Sequence, residues 1–324
     1  MPEMNMIQTV VHTLDHEMAR NDKMIILGED VGKNGGVLRS TAGLYEKYGA
    51  DRVLDTPLNE STIIGAAIGM GMYGMTACPE IQFQDFLFPG FDQLINEAAK
   101  MRYRSGGEYT VPITIRTPYG GGIRGGHYHS QSGEAYFAHT PGLKVVIPSN
   151  PADLKGLLLA SLRDPDPVIF MEPKRVYRAV KGEVPEGDHV VELSKAAIPR
   201  RGDDVTVVTF GSMVPVAMSA AEAAEEDGIS VEIVDLRTIN PWDKQTVLES
   251  ARKTGRVVAV VEAPRTASFA SEISATVAEE AIEYMEGPIA RVTGYDTPFP
   301  YSLENVYLPD ANRVFDAIEK VYNF

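Results

Sequence analysis

The chain has 324 residues, with 30 Lys and Arg against 45 Asp and Glu for a formal net charge of −15, and 44% of it is hydrophobic. Such a composition excludes disorder as the organising theme, and the negative field disfavours nucleic acid and anionic lipid as partners. One cysteine, Cys78, leaves no disulfide framework and no CxxC metal or redox site, and it suits a reducing, cytoplasmic setting.

Met4 to Arg20 reads as an amphipathic helix, with Ile7, Val10, Val11, Leu14 and Met18 on one stripe, which is not a secretory signal pattern. Strands are predicted at Met24–Leu27, Arg52–Asp55, Cys78–Phe83, Pro112–Thr117, Lys144–Pro148 and Pro167–Met171. Helices are predicted at Glu60–Tyr73, Phe86–Arg104 and Pro151–Arg163, the last with Asn150 as cap and Pro151 in its first turn. Ser61 to Pro79 is uncharged and near spanning length. Its glycines (Gly65, Gly69, Gly71, Gly74) and the absence of basic anchors favour a buried helix running into a strand. Glu172 to Gly202, with Pro173, Pro185 and Pro199, reads as a linker with short strand content. A second unit follows, with strands at Asp204–Phe210, Ser230–Leu236 and Arg256–Glu262 and helices at Val214–Glu226, Asp243–Lys253 and Ser268–Met285. Apolar strands alternating with helices predict an α/β protein of two parallel-sheet domains, 1–190 and 204–324, joined by 191–203.

Two glycine signals fail on context. Gly69-Met-Gly71-Met-Tyr-Gly74 closes a helix, and Gly120-Gly-Gly122-Ile-Arg-Gly125 follows a strand but opens no helix. A dinucleotide loop needs strand, then glycines, then helix. This disfavours a nicotinamide oxidoreductase. His127, His129 and His139 with Glu134 could be drawn as a metal site, but the surrounding glycines argue for a turned loop and a structural role for each histidine. GxSxG, HExxH and Walker sequences are absent.

Four stretches end or follow predicted strands, the edge where parallel α/β sheets bind ligands. They are Leu27-Gly-Glu-Asp-Val-Gly32, Asp55-Thr-Pro-Leu-Asn-Glu60, Glu80-Ile-Gln-Phe-Gln-Asp-Phe86 and His129-Ser-Gln-Ser132. Glu60 opens an apolar helix, where desolvation would raise its pKa. A first-turn glutamate favoured by the helix dipole is an equally ordinary reading.

These stretches, with Arg102-Tyr-Arg-Ser-Gly-Gly107, Pro141-Gly-Leu-Lys-Val-Val146, Asp235-Leu-Arg-Thr238 and Arg291-Val-Thr-Gly294, carry a family resemblance over nearly the whole chain. The sequence resembles the beta subunit of the thiamine-diphosphate-dependent decarboxylating component of 2-oxo acid dehydrogenase complexes. The fold implied is an N-terminal pyrimidine-binding domain followed by a C-terminal transketolase-like domain. The resemblance implies that Glu60 contacts the aminopyrimidine of thiamine diphosphate, that Phe86 stacks on it, and that Leu58 and Gln82 lie beside it. His129 matches a histidine serving proton transfer and lipoyl acylation, a task suited to imidazole. The Gly-Asp-Gly sequence that holds Mg²⁺ and diphosphate in such enzymes is absent here. An alpha subunit would then supply that half-site in an α2β2 heterotetramer, inactive without it.

The resemblance also implies a K⁺ site at Ile113, Ser161, Leu162, Asp164 and Asp166, the last standing where asparagine is common. Ser271 to Gly287 holds Glu272, Glu279, Glu280, Glu283 and Glu286 without a basic residue. On the predicted helix Glu279, Glu283 and Glu286 share one face. A solvated face is the ordinary reading of such a run. The resemblance implies instead that it, with Phe324, docks the basic binding domain of a lipoyl-bearing acyltransferase. Branched-chain 2-oxo acids are the favoured substrate, from the HxHSQS loop, Pro241-Trp-Asp243 and Ala263-Pro-Arg-Thr-Ala-Ser-Phe269. Pyruvate is the nearer alternative, the C-terminal half of a split transketolase or a deoxyxylulose synthase relative the next, and a non-catalytic scaffold a third.

Overall fold

In the computed structural model, which describes residues 1–324, six strands of the first half form one parallel sheet. They are β1 (Met24–Gly28), β2 (Val53–Asp55), β3 (Thr76–Glu80), β4 (Thr114–Tyr119), β5 (Lys144–Val146) and β6 (Val168–Pro173). Their spatial order is β5-β6-β4-β3-β1-β2. The chain leaves β1 for β2 on one side and returns to β3 on the other, so a switch point lies at β1. The helix Glu60–Met72 starts there, its first turn capped by Asn59 Oδ1 accepting the Thr62 N–H at 3.0 Å.

The second half contributes β7 (Ala197–Arg200), β8 (Val205–Thr209), β9 (Val231–Asp235), β10 (Thr238–Asn240), β11 (Val257–Val260) and β12 (Ala290–Val292). The second sheet runs β12-β11-β8-β9-β7, parallel except for β7. Every residue of β8, β9 and β11 is buried, as expected of valine-rich strands covered on both faces. Strand β10 instead crosses over and pairs antiparallel with β5, becoming the seventh strand of the first sheet. One apolar core joins the halves, from Leu27 and Ile115 through Val208 and Val234 to Ile273. No helix is long and apolar enough to cross a membrane.

Three predicted elements differ. Phe86–Arg104 is not one helix but a 3-10 turn at Gln84–Gly90, a π turn at Gln93–Glu97, a 3-10 turn at Ala98–Lys100 and an α turn at Met101–Arg104. Pro89 sits inside the first of these, where it can neither donate a backbone hydrogen bond nor tolerate the preceding turn's carbonyl. The strand read at Cys78–Phe83 is Thr76–Glu80, so Gln82 and Phe83 leave the sheet. The helix read at Ser268–Met285 stops at Glu280. Ala281 has φ −141°, and a 3-10 turn at Ile282–Tyr284 follows.

Candidate functional site

The carboxyl ends of β1 to β4 place the four singled-out stretches along one edge. Leu58 stands there 78% exposed, beside the half-buried Glu60. Where the sequence allowed a desolvated Glu60, the chain leaves this carboxylate partly open to solvent, because nothing in the fold covers the start of its helix. Glu29, just beyond β1, shares its field. Its carboxyl is pushed above the usual range by burial, then by the charges of Glu60 and Asp30.

Leaving the sheet at Glu80 lets Gln82, Phe83 and Phe86 reach the edge. The His129 ring lies edge-on to Phe83 at 4.6 Å and to Phe86 at 5.4 Å, and the two phenyl rings meet edge-on at 5.9 Å. Phe83 was not singled out from the sequence, and its place inside the Glu80–Phe86 stretch was the only signal. The next residues pin the segment. Gln131 Nε2 donates to Asp85 at 2.8 Å and to the His127 carbonyl at 2.6 Å, and burial raises the Asp85 carboxyl. His127 and His139 do not join His129 in a metal cluster, and no group of three or more His, Cys, Asp and Glu is placed to hold an ion.

Beneath this edge lies a fully buried ion network. Arg116 donates to Glu172 at 2.7 and 3.1 Å and to Glu80 at 2.9 Å, and Ser40 donates to Glu80 at 2.7 Å. Tyr177 donates to the same Glu172. Burial alone would depress the guanidinium, but Glu172 and Glu80 carry it well above its ordinary value. Lys174 is buried nearby with Nζ unpartnered, 5.6 Å from the Phe83 ring centre, and burial lowers it to about 8. Neither Arg116, on β4, nor Lys174, in the turn after β6, was foreseen, since basic residues are ordinarily exposed.

The largest cleft, about 920 Å³, lies between the Phe91–Ile95 segment, residues 132–140 and the loops at 263–268 and 296–298. It borders the His129 segment without including Glu60 or His129. The strand-end edge itself is open: Leu58 is exposed, Glu60, Gln82 and Phe86 are half-buried, and Phe86 meets the His129 ring. Free polar groups beside an apolar shelf suit a flat heteroaromatic ring with a polar rim.

The acidic members of the cation set meet basic side chains. Lys144 Nζ lies 2.6 and 2.7 Å from the two Asp164 oxygens and 3.7 Å from Asp166, and Arg102 Nε lies 2.6 Å from Asp166. The Ile113 carbonyl accepts from Val168, the Ser161 carbonyl from Asp164, and Ser161 Oγ donates to the Leu157 carbonyl. Leu162 is buried alongside, and the Asp164 and Asp166 carboxylates are paired with these two side-chain cations. The acidic run is split by the end of its helix at Glu280. Glu279 is on the helix, Glu283 on the 3-10 turn, and Glu286 pairs with Arg256 at 2.7 Å. All three are exposed, but they do not share one helical face. The Phe324 side chain lies over Gly287, beside Glu286.

The transketolase pyrimidine-binding domain matches residues 2–180, and the transketolase C-terminal domain matches residues 194–314. The chain is 54% identical to the mitochondrial 2-oxoisovalerate dehydrogenase subunit beta of Dictyostelium discoideum, covering 98% of this chain and 86% of that one. It is 45% identical to a pyruvate dehydrogenase beta subunit of Bacillus subtilis, covering 100% of both. A solved split-gene transketolase, an inactive beta4 tetramer, matches with TM-score 0.82 at 23% identity over 99% of this chain and 98% of that one, a likeness of fold.

Proposed function

The chain belongs to the beta-subunit family of 2-oxo acid dehydrogenases, and from that premise we propose that it completes the active site of a branched-chain enzyme. The reaction is oxidative decarboxylation of a 2-oxo acid with transfer of the acyl group to lipoamide. The observation that carries this reading is the ledge itself, where Leu58, Glu60, Gln82, Phe86 and His129 share one open sheet edge. Thiamine diphosphate, when bound, supplies the electron sink for the pair of electrons left as carbon dioxide departs. Leu58 and Phe86 offer it apolar contact, Gln82 a hydrogen-bonding amide, and Glu60 a carboxyl that holds or passes a proton at its oxygen. His129 exchanges a proton at its ring nitrogens while Phe83 and Phe86 keep water from two of its sides.

The diphosphate and its Mg²⁺ fall to an alpha subunit, because no Gly-Asp-Gly sequence is present in this chain. An α2β2 heterotetramer follows, and a partner covering the ledge would desolvate Glu60 as its role requires. A lipoyl-bearing acyltransferase docks on the C-terminal domain, with Glu279, Glu283, Glu286 and Phe324 in the contact. Pyruvate is kept as the second reading, because a pyruvate dehydrogenase beta subunit is 45% identical over the full chain.

Reconstitution with the alpha subunit and assay with pyruvate, 3-methyl-2-oxobutanoate and 4-methyl-2-oxopentanoate tests the proposal. Turnover is expected only in the assembled enzyme and fastest with the branched acids. Turnover by the beta chain alone, or none with any 2-oxo acid after assembly, refutes it.

A further inference from the structure

The glycine-rich segment after β4 fails as a nucleotide loop, yet its backbone has the form of an anion nest. Gly120, Gly122, Arg124 and Gly126 have φ of 77, 109, 54 and 62°, which turns successive N–H groups toward a common side. The anions they meet belong to the protein. Gly121 N–H donates to Glu262 Oε2 at 3.0 Å, and Gly122 and Arg124 donate to Glu304 Oε1 and Oε2 at 3.1 and 2.8 Å. Both glutamates come from the second half of the chain, Glu262 just past β11 and Glu304 at the start of the Glu304–Tyr307 turn, and each is only 4% exposed.

The fit is close on every side. A Cβ at Gly120 would lie 2.5 Å from Glu262 Oε2, at Gly121 2.6 Å from Leu308, at Gly122 2.8 Å from the Arg175 backbone, and at Gly126 2.3 Å from the Tyr301 ring. Arg124, the one non-glycine with positive φ here, is held in a conformation that costs about 1–3 kcal/mol unless its surroundings fix it. Its N–H is one of the two that Glu304 holds. The nest then closes on the histidine. Gly120 N–H donates to the Gln131 carbonyl at 3.0 Å and Gly125 N–H to Ser130 Oγ at 3.1 Å, so both residues following His129 are tied to the clamped strand of the loop.

We propose that Glu304, assisted by Glu262, is a positioning residue through which the C-terminal domain sets the place of the His129 ring. The proposal rests on the role given to His129 above and deepens it. A bidentate carboxylate holds its two amides along defined directions, and a shift of about 1 Å at a reacting group is enough for a roughly hundredfold loss of rate. In the glutamine variant a nitrogen donor faces a backbone donor, so one of the two bonds is lost while the shape is kept.

The test compares Glu304→Gln, His129→Ala and the double variant in the reconstituted enzyme. In Glu304→Gln, amide hydrogen exchange across residues 121–131 is expected to quicken by about tenfold or more. Acyl transfer to the lipoyl domain should fall about 10- to 100-fold, with the apparent affinity for thiamine diphosphate unchanged. In the His129→Ala background the same substitution should cost nothing further, since the two then act as one unit. Unchanged exchange, or an equal loss in the His129→Ala background, overturns the proposal. Should His129→Ala itself leave turnover intact, the role of His129 falls, and the exchange rates still decide whether Glu304 holds the loop. If Glu304→Gln does not assemble, Glu304→Asp, which is too short to reach both amides, is read by the same criteria.

Discussion

Glu29 and Glu60 are two half-buried carboxylates in one field, and the upward shift of Glu29 owes part of its size to Glu60. Glu60→Gln should therefore lower the Glu29 pKa toward the ordinary range, read by carbon-13 NMR titration of the chain, whereas an unmoved Glu29 would separate the two groups. In the assembled enzyme the same substitution should reduce turnover by about two to four orders of magnitude, the usual worth of an acid–base group. His129→Ala should impair acyl transfer more than decarboxylation measured with an artificial electron acceptor. Equal losses in the two assays would leave His129 a packing role against Phe83 and Phe86. At this scale the sequence was legible where a residue's surroundings are local: Glu60 heads its helix and Phe86 ends its own stretch. It was not legible for Arg116, Glu262 and Glu304, whose partners lie 36 to 182 residues away in the chain. Only the fold brings such pairs together.

Among the elements, continuous apolar strands and capped helices were readable because their determinants are periodic or sit at the ends. Asn150 caps as the sequence suggested, and Asn59 and Asp243 cap two other helices read there, whereas the helix Ala311–Tyr322, capped by Asp310, was not read from the sequence. Asp310→Ala should destabilise the helix Ala311–Tyr322 by about 1 kcal/mol in urea denaturation, by loss of the 2.8 Å bond to the Arg313 N–H. No change would mean that packing against the Met213–Glu226 helix alone holds it. Breaks were harder to read than starts. Polar spacing across Ala281 still looked helical, since nothing in the local sequence opposes a further turn. As the acidic run is split, replacing Glu279 and Glu283 by Gln should slow association of a basic binding domain at low salt and do little at high salt. Glu286→Gln should matter less, because Arg256 already neutralises that carboxylate. Identical association rates at low salt would assign the run to solvation.

For the whole molecule, the interior carries charge that responds to pH. Burial pushes the carboxyls of Glu134 and Asp235 up to about 7, and neither Glu134 oxygen has a partner in the chain. With folded values above the unfolded ones, the folded chain binds more protons between about pH 4.5 and 7, so both groups make stability fall as pH rises through that window. Glu134→Gln should remove its share, so that the variant gains on the parent by up to roughly 3 kcal/mol between pH 5 and 8. Stability curves that stay parallel across that range would show that Glu134 does not titrate there.

Strand β10 bears on how the chain is made. The free edge of β5 finds its neighbour only in Thr238–Asn240, nearly a hundred residues later in synthesis. While a ribosome is still extending the chain, the first sheet is left with an unpaired border open to strands of other nascent copies. Translation speed between residues 146 and 240 and the availability of holding chaperones then become determinants of yield. A truncation ending near residue 190 should expose that border and aggregate, whereas one carrying residues 1–243 should do so less.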